Sequence, residues 1–133
     1  MPAALSLLMN IDEINKNVQI LIEETYRDSS KWHQNFELAK KLLKKALDEN
    51  PNHESSLINY GTVLCDFGSH KAAIEYLMKA IDLGSQNKHA FFNLGVALLN
   101  SSSHKDAKAY FKKASSKTAG FLTWEAYFDP MAH

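Results

Sequence analysis

Apolar residues recur at steps of three and four along most of the chain, and polar turns interrupt them at regular intervals. From Asn10 to Asp28 the stripe is Ile11, Ile14, Val18, Leu21 and Ile22, with Asp12, Glu13, Lys16, Glu23 and Glu24 on the other side. That spacing predicts an amphipathic helix. Asp28-Ser29-Ser30 supplies capping side chains and a break, after which Phe36, Ala39, Leu42, Leu43, Ala46 and Leu47 form a second stripe that Asn50-Pro51-Asn52 ends. Gly68-Ser69 separates a helix predicted over 54–67 from one over 70–83, and Gly84 is a natural C-terminal cap. A further pair is predicted over 88–101 and 104–117, with Ser101-Ser102-Ser103 between its members. No segment alternates as a strand would. The opening Met1 to Met9 lacks the basic start of a leader and meets Asp12 and Glu13 almost at once, so it is read as the first turns of a helix.

The last two pairs repeat one another. Gly61 and Gly95, Ala73 and Ala107, and Ala80 and Ala114 all lie 34 residues apart. At the same offset Leu57, Tyr60 and Leu64 are answered by Phe91, Leu94 and Leu98, and Leu77 by Phe111. Small residues let two helix backbones approach, and the larger side chains fill the sides of the contact. One such hairpin cannot bury its own faces, whereas stacked copies bury each other's, which predicts an all-α solenoid.

The pattern of an aromatic, Leu-Gly, an aromatic, then Ala, an aromatic, Ala and Pro resembles the tetratricopeptide repeat family, including its small stand-alone members. Residues 54–87 supply Leu57, Tyr60-Gly61, Leu64, Ala73, Leu77 and Ala80, with Ser85 in the proline place. Residues 88–121 supply Phe91, Leu94-Gly95, Leu98, Ala107, Phe111 and Ala114, with Ala119 in that place. Residues 20–53 match through Ala39, Leu43, Ala46 and Pro51, but their first half puts Arg27 where glycine belongs, so this repeat is expected to be divergent. The resemblance covers about 100 of 133 residues. It implies a right-handed stack of about three helix hairpins in a single domain over 1–133, with a long N-terminal helix and a C-terminal cap over 122–133.

The resemblance also implies a binding face. In the family's geometry the first helix of each pair lines the concave surface, which selects Ser55, Ile58, Asn59, Thr62, Asp66, His89, Phe92, Asn93, Val96 and Asn100. Asn59 and Asn93 recur at the repeat spacing, and a carboxamide can donate to and accept from a peptide backbone at once. A solvated position or a bond to a neighbouring helix is the plainer reading of both. Members that grip a chaperone's terminal carboxylate place a lysine before such an asparagine and another asparagine three residues after it. Here those places hold Ile58 and Thr62, and Phe92 and Val96, so no carboxylate-clamp ligand is expected. The apolar surroundings favour a hydrophobic segment or partner helix over an acidic tail.

Composition narrows the function further. Fifteen basic and fifteen acidic residues cancel, so no global field draws the chain to nucleic acid or a membrane surface. No apolar run reaches the roughly 18 residues of a membrane span. Lys40, Lys41, Lys44 and Lys45, with Lys108, Lys112 and Lys113, read as the solvated convex face. The single cysteine, Cys65, forms no internal disulfide and reads as a structural thiol; the expected location is cytoplasmic. Six scattered histidines with one cysteine do not suggest a metal site, and no cofactor or catalytic motif is present. An enzyme is not expected.

After the last repeat come Phe121, Trp124, Tyr127 and Phe128, four aromatics in eight residues. Their spacing predicts a short helix that caps the stack against Tyr110 and Ala114, while their chemistry equally suits a recognition element. The reading that follows is a non-enzymatic interaction module, an adaptor or chaperone that binds a peptide or partner helix, as a monomer or weak homodimer. A dedicated neutraliser or chaperone of one cognate protein, such as a secreted toxin or effector, and a self-assembling structural subunit are the alternatives.

Overall fold

The computed structural model describes residues 10–101 and 103–127. Among the described residues six α-helices form three hairpins: α1 (Ile11–Arg27) with α2 (Trp32–Glu49), α3 (Glu54–Asp66) with α4 (His70–Asp82), and α5 (Lys88–Asn100) with α6 (His104–Ala114). A single 3-10 turn, Ser29–Lys31, joins the first two. Each helix packs on the next, and the first helices of the pairs also touch, α1 on α3 and α3 on α5. This is the expected solenoid.

The helix ends follow local chemistry. Asn10 caps α1 by accepting from the Glu13 N–H at 2.8 Å, and its own amide donates to the Glu13 carboxylate at 2.9 Å. The His53 ring and the Asn87 side chain cap α3 and α5 in the same way. Gly68 and Gly84 take φ of 85° and 100° beyond α3 and α4. Their turns close with the Ser69 N–H donating to the Leu64 carbonyl at 2.8 Å and the Ser85 N–H to the Ala80 carbonyl at 3.0 Å. Helix α6 stops at Ala114 rather than 117, where the Ser115 and Ser116 hydroxyls take the Lys112 and Lys113 carbonyls.

The repeat anchors work sterically. A Cβ at Gly61 would lie 2.6 Å from Leu77 Cγ, and one at Gly95 would lie 2.8 Å from the Phe111 ring. Ala73, Ala80, Ala107 and Ala114 are buried beside them. Arg27, in the glycine place of the first repeat, is the exposed last residue of α1, so no close approach occurs there. That pair is fastened instead by the Asn35 amide of α2, which donates to the Leu21 carbonyl at 3.0 Å.

One element differs from expectation. The short C-terminal helix is not formed over the described part of 122–133; residues 121–122 form a turn, 123–127 take no regular secondary structure, and the segment lies in the groove between α3 and α5. The backbone groups a helix would pair internally are taken by groove side chains, and Thr123 with the aromatics favours extended backbone. Phe128 and the other residues from 128 onward lie outside the described residues, as does the Met1 to Met9 stretch.

Gly61→Ala should gain helix propensity yet lose stability, by about 1–3 kcal/mol, because Leu77 cannot retreat from a methyl group at that distance. Urea denaturation of the variant checks this, and adding Leu77→Val should return part of the loss.

Candidate peptide-binding groove

The concave surface is a row of buried polar side chains along α1, α3 and α5, and its occupant is the chain's own Gly120–Tyr127. The segment enters beside the start of α5. There the Gly120 N–H donates to Asn87 Oδ1 at 3.1 Å, and the Asn87 amide donates to the Thr123 hydroxyl at 3.0 Å. A Cβ at 120 would lie 2.5 Å from Asn87 Nδ2, so a larger residue here would push the Asn87 amide off its place. His89 Nδ1 also meets the buried Thr123 hydroxyl, at 2.6 Å. From α1, Gln19 Nε2 donates to the Phe121 carbonyl at 3.0 Å.

Farther in, the two repeat-related asparagines take over. Asn59 Nδ2 donates to the Leu122 carbonyl at 2.9 Å, and Asn93 Nδ2 donates to the Trp124 carbonyl at 2.9 Å. Asn93 Oδ1 then accepts the Ala126 N–H at 2.8 Å, so one carboxamide pairs with both a C=O and an N–H on the same edge of the segment. Each asparagine is itself fixed from behind. The amide of Asn93 also donates to Thr62 Oγ1 at 2.7 Å, that of Asn59 to Asn15 Oδ1 at 2.8 Å, and that of Asn15 to Ser56 Oγ at 2.8 Å. The segment leaves at the end of α3, where the Tyr127 N–H donates to Asp66 Oδ1 at 2.9 Å.

Of the residues selected from sequence, the structure brings Asn59, Asp66, His89 and Asn93 onto the segment, with Thr62 directly behind. Ile58 and Val96 are core residues, fully buried. Phe92 turns to Phe111 of α6, ring centroids 5.3 Å apart, and so faces its own hairpin. Ser55 is half-buried and bonds none of the segment, and Asn100 is exposed with its amide on the Val96 carbonyl. Phe121 and Tyr127 are exposed, whereas Trp124 packs on the core. Sequence reasoning passed over Asn15, Gln19 and Asn87. Asn15 had a signal, being a polar residue four places from Ile11 and three from Val18, within the apolar stripe. Asn87 had one as the cap of α5.

Three buried side-chain atoms have no partner among the described residues: Asn59 Oδ1, Asp66 Oδ2 and Trp124 Nε1. All belong to residues of the segment or its seat. Burial pushes the Asp66 carboxyl up to about 7, although the Tyr127 N–H pulls the other way. Burial holds the His89 and His70 imidazoles below their ordinary value. Buried Cys65 sits beside His70 at 3.6 Å with its thiol pushed up to about 12 by burial and by Asp66, which suits the structural reading. No group of three or more metal-ligating side chains occurs among the described residues, and no described helix is long and apolar enough to cross a membrane.

Residues 55–87 and 89–116 match the family model described as tetratricopeptide repeat. These two stretches are tetratricopeptide repeats. Two solved structures share the fold: MamA MSR-1, with 20% identity and a TM-score of 0.56 over 77% of this chain and 66% of that one, and MamA AMB-1, with 22% identity and a TM-score of 0.57 over 74% of this chain and 65% of that one. The match thus spans just under two thirds of those chains. No curated protein sequence matches this one. Tetratricopeptide repeats point to a protein-interaction module, and the Asn59 and Asn93 pair places backbone-reading groups along its concave face.

Asp66 gives the groove a pH signature. Its folded carboxyl holds a proton up to about pH 7 and the unfolded one only up to about 3.8. The folded state therefore binds more protons between those values, and this group's contribution to stability falls as pH rises through the window. The two histidines act in the opposite sense, losing stability as pH falls below about 6.5. Asp66→Asn keeps an acceptor for Tyr127 and removes the titration, so the difference between wild type and variant isolates the term. The variant should gain up to about 4 kcal/mol relative to wild type between pH 4 and 8, measured by urea denaturation at each pH.

Proposed function

We propose that the chain is a non-enzymatic interaction module that takes an extended segment of a partner protein along its concave face, with Gly120–Tyr127 as the resident occupant that such a segment replaces. The whole chain is taken as one domain, with 20–53 as its divergent repeat. The observation that carries the reading is the double bond pattern of Asn93, which gives to the Trp124 carbonyl and receives from the Ala126 N–H. These contacts recognise backbone in extended form, so they favour a peptide over a partner helix, whose backbone groups are already paired. Side-chain selectivity lies at Thr123 and Ala126, which are nearly fully buried and set a requirement for small residues at those two places. An adaptor and a chaperone of one cognate protein both fit this chemistry.

Release of the resident segment is supported by its imperfect seat. Asn59 Oδ1 and Trp124 Nε1 are buried without partners among the described residues, and each such group costs about 1–3 kcal/mol. A partner strand that supplied an N–H to Asn59 would bind against a weakened competitor. The competitor is tethered, however, so its effective concentration is on the order of millimolar and untreated protein should bind weakly.

A fluorescent peptide with the sequence of residues 119–127 tests this by anisotropy. The chain ended at Gly120 should bind it at least tenfold more tightly than the full chain, and adding Asn93→Ala should abolish binding. In the full chain, Ala126→Trp should evict the resident segment and give the same gain. The proposal fails if the helical, folded short chain and the Ala126→Trp chain both ignore the peptide. Light scattering on the same samples reports whether a freed segment instead joins copies together.

A further inference from the structure

Thr123 gives the groove a contact that reads a side chain rather than backbone. It is 3% exposed, and its hydroxyl lies 3.0 Å from Asn87 Nδ2, 2.6 Å from His89 Nδ1 and 3.3 Å from the Gly120 carbonyl. A hydroxyl has one hydrogen to give and lone pairs with which to accept. Asn87 Nδ2 can only donate, so it takes a lone pair, and the hydrogen goes to His89 Nδ1, the shorter of the two remaining contacts. Burial holds the His89 imidazole below its ordinary value, which keeps the ring neutral and Nδ1 an acceptor. The two groove side chains thus make opposite demands, one for an acceptor and one for a donor, and a hydroxyl meets both. Valine has nearly the shape of threonine and meets neither.

The same carboxamide reads a second residue. Asn87 Oδ1 accepts the Gly120 N–H at 3.1 Å and the His89 N–H at 2.9 Å, the second of these capping α5. A Cβ at 120 would lie 2.5 Å from Asn87 Nδ2, the atom that donates to Thr123, and 3.4 Å from the Thr123 hydroxyl itself. Gly120 is not among the glycines at positive φ, so space and not backbone conformation favours glycine there. A side chain at 120 displaces the Nδ2 group, and with it the hold on Thr123. We infer that the groove selects partner segments carrying glycine and, three residues on, threonine, and that Asn87 with His89 reads the two as one unit.

This rests on the groove reading and deepens it. At Ala126 the groove asks only for a small side chain, whereas at Thr123 it asks for a hydroxyl on a small side chain, and it couples that demand to glycine at the point of entry. Serine supplies the hydroxyl without the methyl group and is the tolerated substitute.

The test is a double-mutant cycle on the peptide, with the full chain carrying Ala126→Trp as receptor and anisotropy as readout. Fluorescent peptides have the sequence of residues 119–127, unchanged or with Gly120→Ala, Thr123→Val, both together, or Thr123→Ser. Gly120→Ala and Thr123→Val should each weaken binding at least about tenfold, because each leaves polar groups of the groove unpaired. Together they should cost no more than about threefold beyond either alone, since both remove the same Asn87 contact, and Thr123→Ser should stay within about threefold of the unchanged peptide. The same substitutions in the full chain with Ala126 in place repeat the cycle without a peptide, read as amide-exchange protection at position 120. The inference is overturned if the valine peptide binds as the unchanged one does, if the serine peptide binds no better than the valine one, or if the two single losses multiply in the double; the groove reading survives all three. If no peptide binds, the groove reading fails, and the partner preference with it. The cycle within the chain then decides the Asn87 unit, which protection unchanged by Thr123→Val would overturn.

Discussion

An extended backbone laid between helices has no neighbouring strand, so each of its buried N–H and C=O groups must find a side chain or go unpaired. The concave face is organised around that demand. Asn87, Asn59, Asn93 and Asp66 meet the segment in order, and Asn15, Ser56 and Thr62 meet the asparagines from behind. A helix-lined groove thereby does with carboxamides what a sheet edge does with backbone. Removing a member of the outer row frees part of the segment; removing a member of the inner row frees a member of the outer one.

The carboxamides reach this line only because the helices stack at fixed depth. Gly61 against Leu77 and Gly95 against Phe111 bring each pair together closely enough that α3 and α5 stand side by side with Asn59 and Asn93 at one level. The first pair lacks that contact. Its helix α1 begins far earlier than the repeat register would place it, and so offers Asn15 to Asn59 where the next repeat offers Thr62 to Asn93. Divergence in the first repeat is what supplies the inner row at that point.

The scaffold was legible in sequence because its determinants are local. Helix stripes, Gly68 and Gly84 at the turns, and the 34-residue echo each act within one or two hairpins, and the observed helices fall within a few residues of the expected ones. Asn59, Asn93, Asp66 and His89 were legible as groove residues through the family's geometry. The path of 120–127 was not. Phe121, Trp124 and Tyr127 have helical spacing, and a spacing argument weighs only side chains against one another. What decided the outcome was a set of backbone bonds to residues 31 to 102 positions away, such as Gln19 to Phe121 and Asn93 to Trp124. Phe92 misled for a related reason: adjacency to Asn93 in sequence places it a quarter-turn and more round the helix, facing Phe111.

The unpaired atoms tie the groove to its mouth. Folded proteins leave few buried polar groups unsatisfied, and they tend to do so where function asks for it. In this chain the partnerless buried side-chain atoms among the described residues are Asn59 Oδ1 in the groove, Trp124 Nε1 on its occupant and Asp66 Oδ2 at its exit. Among the described residues the unsatisfied side-chain atoms therefore fall along one line, the groove and its occupant. Asp66 is the hinge of this arrangement, since its two oxygens face different demands: one fastens Tyr127, and the other has nothing to hold.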